Sequence, residues 1–382
     1  MDVSTTSSNS APNAPGFLRM GQGEGEHSYA KNSHFQSRLN RSVLPFFLDL
    51  IQTMALPNSG EVLRIADIGC SSGPNTICNV EAIIKQVKER YQAEGSELPE
   101  VQVFFQDLPS NDFNTLFKHV FSEANDIMKS PKNYMVAAVP GSFCHRLFPK
   151  ATISAVLSTL ALHWLVKIPA AVRDPQSPTY NGGHIDLHDS SLATVQAFAD
   201  QAELEFDSFL AARADEVVHG GVVFLTFLVR QSEFYPNSGD PNRSHDEVWS
   251  QLVLEGSVSR ELRDDFNMPY YVRTTEEVQK SLKKFSSVFE VQKQEVVSLD
   301  YKKLVDEHPD IEEFTRIQSK FIRAYSEEIY ESHFGKAATS IFFERFEQAL
   351  YERVSRMRSG QARPEDAVTV QTWMLALGLR RI

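Results

Sequence analysis

Residues 63–76 read LRIADIGCSSGPNT, an apolar run that ends in an acid, two glycines and a cluster of small polar residues. Leu63, Ile65, Ala66 and Ile68 suit a short buried strand, and the pattern from Cys78 to Tyr91 is helical, so the stretch predicts a strand-to-helix turn. Glycine in such a turn lets the backbone take positive φ or come close to a ligand, and the free N–H groups of the helix start favour polar or anionic partners. A tight turn alone would also account for Gly69 and Gly73, and the stretch by itself leaves both readings open.

Spacing narrows the ligand. Gly69 and Gly73 enclose Cys70, Ser71 and Ser72, which is not GxGxxG, and the turn lacks the GK[ST] of a phosphate-cradling loop. Diphosphate recognition is therefore disfavoured. Asp67 ends the first strand, where a carboxylate can accept from a bound hydroxyl or hold the turn together. A second acid, Asp107, follows the strand-like run Val101 to Phe105; both acids would lie at the carboxyl edge of neighbouring strands, where ribose hydroxyls suit a carboxylate. Asp107 could instead cap the next helix.

Outward from this turn, strand and helix candidates alternate. Strands are expected near residues 63–68, 101–105, 135–139, 155–160 and 222–228, and helices near 41–54, 78–91, 113–128 and 192–213, which argues for a mostly parallel α/β sheet. Residues 1–16 read as a disordered tail, 17–230 as a polar, Gly-rich segment followed by the α/β core, and 231–382 as a mainly helical region whose runs 289–299 and 368–377 are expected to return as strands at one sheet edge. Residues 231–246, rich in Pro, Asn and Ser, read as a loop or lid; 247–266 and 275–285 read as helical. The stripe Phe314, Ile317, Phe321, Ile322 and Tyr325 reads as ordinary core.

Composition limits the partners. The chain has 382 residues, enough for a substantial core, and 38 Lys and Arg against 50 Asp and Glu give a net charge of −12 without a dense basic run, so nucleic acid is a poor partner. The three cysteines, Cys70, Cys78 and Cys144, form no disulfide or zinc pattern. The first residues lack a secretory pattern, and no apolar run approaches the ~18 residues of a membrane helix, so a soluble cytoplasmic protein is the expectation.

Three polar-aromatic clusters fall where this fold forms a pocket: SYAKNSHFQ at 28–36, PGSFCHRLFP at 140–149 and LHWL at 162–165. With DIGCSSGPNT and FFQDLPSNDFN they occur in the order found in the plant SABATH methyltransferases, named for salicylate, benzoate and theobromine synthesis, and the chain resembles that family from about Tyr29 to its C-terminus. The resemblance implies a Rossmann-like methyltransferase sheet with an α-helical cap, S-adenosylmethionine as methyl donor, and a homodimer. It implies cofactor contacts at Ser33, Asp67, Gly69, Asn75, Asp107, Leu108, Ser142 and Phe143. For the acceptor it implies Gln36 and Trp164 as N–H donors that aim a substrate carboxylate, with Leu160, His163 and the cap residue Tyr271 completing the pocket. Phe143 also suits core packing, and His163 suits either a donor or a packed side chain.

The implied reaction is methyl ester formation on a small carboxylic acid, first of the benzoate, salicylate or cinnamate type. Indole-3-acetate, jasmonate, gibberellin, xanthine and thiol acceptors, or a non-catalytic sensor of cofactor or small acid, are the alternatives. Two departures bear on the acceptor: Leu160 stands where many relatives have Tyr, and Cys144-His145 replaces a frequent Tyr-Gly pair. Trp249 is the candidate for a further cap aromatic. Some members hold Mg²⁺ at positions matching Asn181, Asp264, Phe266 and Asn267, although these residues equally suit helix caps or a turn.

Overall fold

The computed structural model describes residues 18–58, 60–121, 133–231, 243–363 and 371–382. Strands β1 (Leu63–Ile68), β2 (Val101–Asp107), β3 (Met135–Pro140), β4 (Ile153–Thr159) and β5 (Val217–Arg230) pair in parallel in the order β3-β2-β1-β4-β5. The two-residue β6 (Arg273–Thr274) pairs with the end of β5. The chain then returns through β7 (Phe289–Asp300) and β8 (Gln371–Arg381), with β8 antiparallel to β5 and β7 outermost. The late run 289–299 thus becomes a strand at one edge, as does 368–377 from Gln371 onward, residues 368–370 lying outside the described residues.

Alternate residues of each central strand enter opposite cores, as expected of a sheet covered on both faces. Leu63, Ile65, Val103 and Phe105 face α2 (His34–Thr53) and α3 (Pro74–Ala93), while Ala66, Ile68 and Val156 face Phe206, Phe209 and Leu210 of α5 (Leu192–Glu216). Between β1 and β4 the connections leave in opposite directions, making the switch point at the carboxyl edge where open α/β sheets bind ligands.

A third core lies in the cap. Trp249 of α6 (Arg243–Leu254) stacks between Phe334, at 3.9 Å, and Phe342, at 4.6 Å, from α10 (Ile311–Phe334) and α11 (Lys336–Arg358). Trp249 is fully buried there and is a core residue, which removes it as the cap aromatic of a pocket.

Several boundaries differ from the sequence expectation for identifiable reasons. After the short α1 (Tyr29–Asn32), α2 starts at His34, seven residues before the apolar spacing becomes clear, because its first turns bury only Leu39 and Asn40. Helix α3 starts at Pro74, a residue whose fixed φ and missing N–H suit the first helical position. The single helical segment expected over 247–266 is two helices, α6 and α7 (Arg260–Asp265), separated at Gly256 with φ 75°. Helix α4 is described over Phe113–Phe121; the remainder of its expected span, the tail 1–16 and most of the expected lid lie outside the described residues. The remaining helices are α8 (Thr275–Lys284) and α9 (Tyr301–Glu307). No helix among the described residues is long and apolar enough to cross a membrane.

Candidate active site

The β1 turn leaves its strand with Gly69 at φ 75°. A Cβ there would lie 2.4 Å from the Cβ of Ala161, in the loop after β4. The neighbour that excludes a side chain at Gly69 is therefore the chain itself, and glycine joins the two halves of the switch point. The rest of the turn is tied to β2. Gly69 and Cys70 donate to the Gln106 carbonyl at 2.9 and 3.0 Å. Asp107 accepts from Ser71 N and from Leu108 N, each at 2.7 Å, and Gly141 N donates to the Asp107 carbonyl at 2.9 Å, drawing in the turn after β3.

Asp67 is buried, with Oδ2 accepting from the Thr76 hydroxyl. Burial pushes its carboxyl up to about 7, against the opposing Thr76 hydrogen bond and with a further push from Asp107. Asp107 is pushed up to about 6 by the same desolvation, opposed by its two backbone donors. Asn75 Nδ2 donates to both the carbonyl and the hydroxyl of buried Ser33 at 3.1 Å, fastening the entrance segment to the start of α3. Ser142 Oγ accepts from Cys144 N at 3.3 Å, and the Phe143 ring stands edge-on to Phe209 at 6.1 Å, so Phe143 also packs toward α5. The eight residues expected on the cofactor side thus lie at the carboxyl ends of β1, β2 and β3 and on the segment fastened there. Asp67 Oδ1 and Ser71 Oγ are buried without a hydrogen-bond partner among the described residues, and these orphaned groups fit a ligand rich in hydroxyl and ammonium donors.

The β4 side is built differently. Leu160 has φ 55° and donates to the Thr226 carbonyl at 2.7 Å, turning the chain out of the sheet. Trp164 then pairs as an antiparallel bridge with Tyr270 of the cap. Its ring meets Tyr270 at 5.6 Å and Tyr325 at 5.9 Å, both edge-on, and His163 meets Tyr270 at 5.2 Å. The contacts continue through Phe321 to Phe35, each step 5.3 Å, so an aromatic wall joins the β4 loop, the cap and the start of α2. Gln36 adjoins Phe35, and its Oε1 is buried without a partner among the described residues. Burial, then the charge of Arg273, push His163 down to about 3; it is neutral at physiological pH, with Nδ1 unpartnered among the described residues.

Tyr271 is placed differently from its expected pocket role. Its side chain is fully buried, packs with Leu165 and Phe198, and donates its hydroxyl to Glu277 at 2.8 Å while accepting from Arg230 at 2.7 Å. The preceding Tyr270 is the tyrosine that meets Trp164. Sequence reasoning also missed Tyr325 and Phe321: the i, i+4 aromatic pair was visible, but it reads as core until the partner of its half-exposed edge is known.

The four residues considered for Mg²⁺ are engaged with one another and with protein groups. Asn181 Nδ2 donates to Asn267 Oδ1 at 2.9 Å, and Asn181 Oδ1 accepts from Ser190 at 2.6 Å. Asp264, the one carboxylate, pairs with Arg263 at 2.6 Å and accepts from Gly183 N at 3.0 Å, while the Phe266 ring packs in the cap core. Mg²⁺ takes near-octahedral oxygen donors; in this structure the amide oxygens of Asn181 and Asn267 accept hydrogen bonds and Asp264 pairs with Arg263, so these groups serve the protein's own contacts.

Comparison with known proteins bears on the family and the fold. The sequence model of a family described as SAM dependent carboxyl methyltransferase matches residues 16–371. Indole-3-acetate O-methyltransferase 1 of Oryza sativa subsp. japonica is 33% identical over 357 residues, covering 87% of each chain. Gibberellic acid methyltransferase 2 of Arabidopsis thaliana is 32% identical over 346 residues, covering 86% of this chain and 87% of its own. The solved structure of a loganic acid methyltransferase with SAH superposes with a TM-score of 0.81 at 28% identity, covering 95% of this chain and 98% of that one.

Proposed function

The chain belongs to the SAM-dependent carboxyl methyltransferases of the SABATH type, and on that premise we propose that it esterifies the carboxylate of a small aromatic acid. It is an S-adenosylmethionine-dependent enzyme. The observation that carries the aromatic reading is the wall formed by His163, Trp164, Tyr270 and Tyr325 beside the switch point, since flat rings prefer edge-on and offset neighbours at these separations.

S-adenosylmethionine supplies an electrophilic methyl group on a sulfonium. The protein's own task is to bind, aim and keep dry. Asp107 and Asp67 offer carboxylate oxygens to ribose and amine donors at the ends of β2 and β1, and Leu108 and Phe143 offer apolar surface to the adenine. Gln36 and Trp164 contribute N–H donors that orient the acceptor carboxylate without adding charge, and neutral His163 does the same within the pocket. An acid with a pKa near ~4 is already ionised at neutral pH, so no general base is needed. Alignment of oxygen with methyl carbon and sulfur can lower the barrier by roughly 7–11 kcal/mol in favourable cases.

An arylacetic acid is the second reading. Leu160 is smaller than the Tyr of many relatives and leaves room for a larger ring system, and the rice relative is named for indole-3-acetate. The homodimer is also proposed from the resemblance; light scattering of the purified protein decides it.

Single replacements Gln36→Leu and Trp164→Phe test the role assignment. Each is expected to lower ester formation ~100-fold, the scale of a misaimed reactant, with S-adenosylmethionine affinity held within ~2-fold. Undiminished turnover in both variants would remove these two residues from the acceptor site.

A further inference from the structure

The segment carrying Leu160, His163 and Trp164 is fixed almost entirely through its backbone. The Leu162 carbonyl accepts from Arg273 Nη1 at 2.6 Å, His163 O accepts from Tyr271 N at 2.9 Å, and Leu165 N donates to Pro269 O at 2.9 Å. Immediately beyond, Val166 N and Lys167 N both donate to the Glu205 carboxylate, at 2.8 and 3.1 Å. One buried cation therefore holds the chain before Trp164, and one carboxylate holds it after.

Arg273 is the unusual member. It is 3% exposed, lies 5.4 Å over the Phe206 ring, and sends its second terminal nitrogen to the Ala202 carbonyl on α5 at 2.7 Å. Both terminal nitrogens serve backbone carbonyls instead of a carboxylate, and burying a guanidinium is costly, so its presence calls for a geometric role. Glu205 lies three residues from Ala202 on the same helix and uses Gln201 as a third donor at 2.7 Å. Helix α5 is thus the common anchor for both grips on the acceptor loop.

We propose that Arg273 and Glu205 form a positioning pair that sets the Trp164 indole and the His163 ring against the acceptor. The planar fork of Arg273 bridges the loop to α5 in two fixed directions, a geometry that Lys cannot reproduce. Neither residue touches the acceptor; each acts through the backbone of the residues that do. This proposal rests on the acceptor-side reading above, and its test has a readout that does not require turnover.

The experiment compares wild type with Arg273→Met, Arg273→Lys and Glu205→Gln. The indole N–H resonances of Trp164, Trp249 and Trp373 are assigned by single Trp→Phe replacements in the presence of SAH. The Trp164 resonance is expected to shift and broaden in Arg273→Met, less so in Arg273→Lys, while Trp249 and Trp373 stay in place. With an acid that the wild type esterifies, kcat/KM for the acid is expected to fall ~10–100-fold while SAH affinity holds within ~2-fold, the signature of misplaced alignment. An unmoved Trp164 resonance, or joint movement of all three indoles with a parallel loss of SAH affinity, overturns the pair as a positioning device. If Arg273→Met fails to fold, Arg273→Lys and Glu205→Gln carry the same comparison. A wild type that esterifies no acid would defeat the proposed function, yet the resonance test would still decide this inference.

Discussion

The two sides of the switch point are held by different physics. On the β1 and β2 side, short polar contacts within the loops fix the geometry: Asp107 accepts from two backbone N–H groups, Asn75 donates to Ser33, and Asp67 accepts from Thr76. On the β4 side, rings meet at 5 to 6 Å across three distant segments, and the loop beneath them is held at its backbone, by Arg273 on the Leu162 carbonyl and by Glu205 on Val166 N and Lys167 N. The difference teaches a division of labour. Directional polar groups suit a donor whose hydroxyls and charges are fixed, whereas an aromatic wall tolerates change in ring size, so under the proposed function the acceptor could vary with the cofactor side unchanged.

The contact most able to break this division is Gly69 against Ala161, because it belongs to both sides. Gly69→Ala forces an L side chain into positive φ and into the Ala161 methyl, and is expected to cost at least about 2 kcal/mol of stability in urea denaturation. Adding Ala161→Gly should recover the part due to the contact. Unchanged stability in Gly69→Ala would mean that the two loops do not buttress each other.

Asp107→Ala should sharpen the comparison. It leaves the N–H groups of Ser71 and Leu108 without their acceptor, and is expected to weaken S-adenosylmethionine binding ~100-fold, about 2.7 kcal/mol, by calorimetry. Acid turnover at saturating cofactor should remain close to wild type; a loss there as large as the loss in binding would merge the two sides into one.

The pH dependence is a smaller effect with a definite sign. The Asp67 carboxyl is raised by burial to about 7, so without ligand its stabilising preference for the proton is present at low pH and lost as pH rises through that value. A cationic ligand favours the ionised form. Cofactor affinity is therefore expected to climb with pH between 5.5 and 7 by up to about tenfold per unit, then flatten. Titration of Asp67→Asn, which lacks the group, should give a shallower climb. The smallest effect is a control outside both sides: Ser191 caps α5 by accepting from Thr194 N, and Ser191→Ala should cost about 1 kcal/mol of stability with both affinities unchanged.

How far each side could be read from sequence follows from the same contrast. The strand, the turn and the acid of LRIADIGCSSGPNT are consecutive, so local pattern rules find them, and the alternation of strands fixes the α/β class. The aromatic wall is non-local. Tyr270 and Tyr271 are adjacent, and only the pairing across the loop decides which of them meets Trp164. Trp249 looks like a pocket aromatic in sequence because nothing local announces the Phe334 and Phe342 that sandwich it. Arg273 reads as an ordinary charged residue until its burial against two carbonyls is seen.

The central claim is that the methyl group goes to a carboxylate oxygen of an aromatic acid. Purified protein incubated with methyl-labelled S-adenosylmethionine and a panel of benzoate-type, cinnamate, indole-3-acetate, jasmonate, gibberellin, xanthine and thiol compounds, with products identified by mass, tests it most directly. The account predicts a labelled methyl ester of an aromatic or arylacetic acid. Label on nitrogen or sulfur, or cofactor binding with no labelled product from any acid, would contradict it.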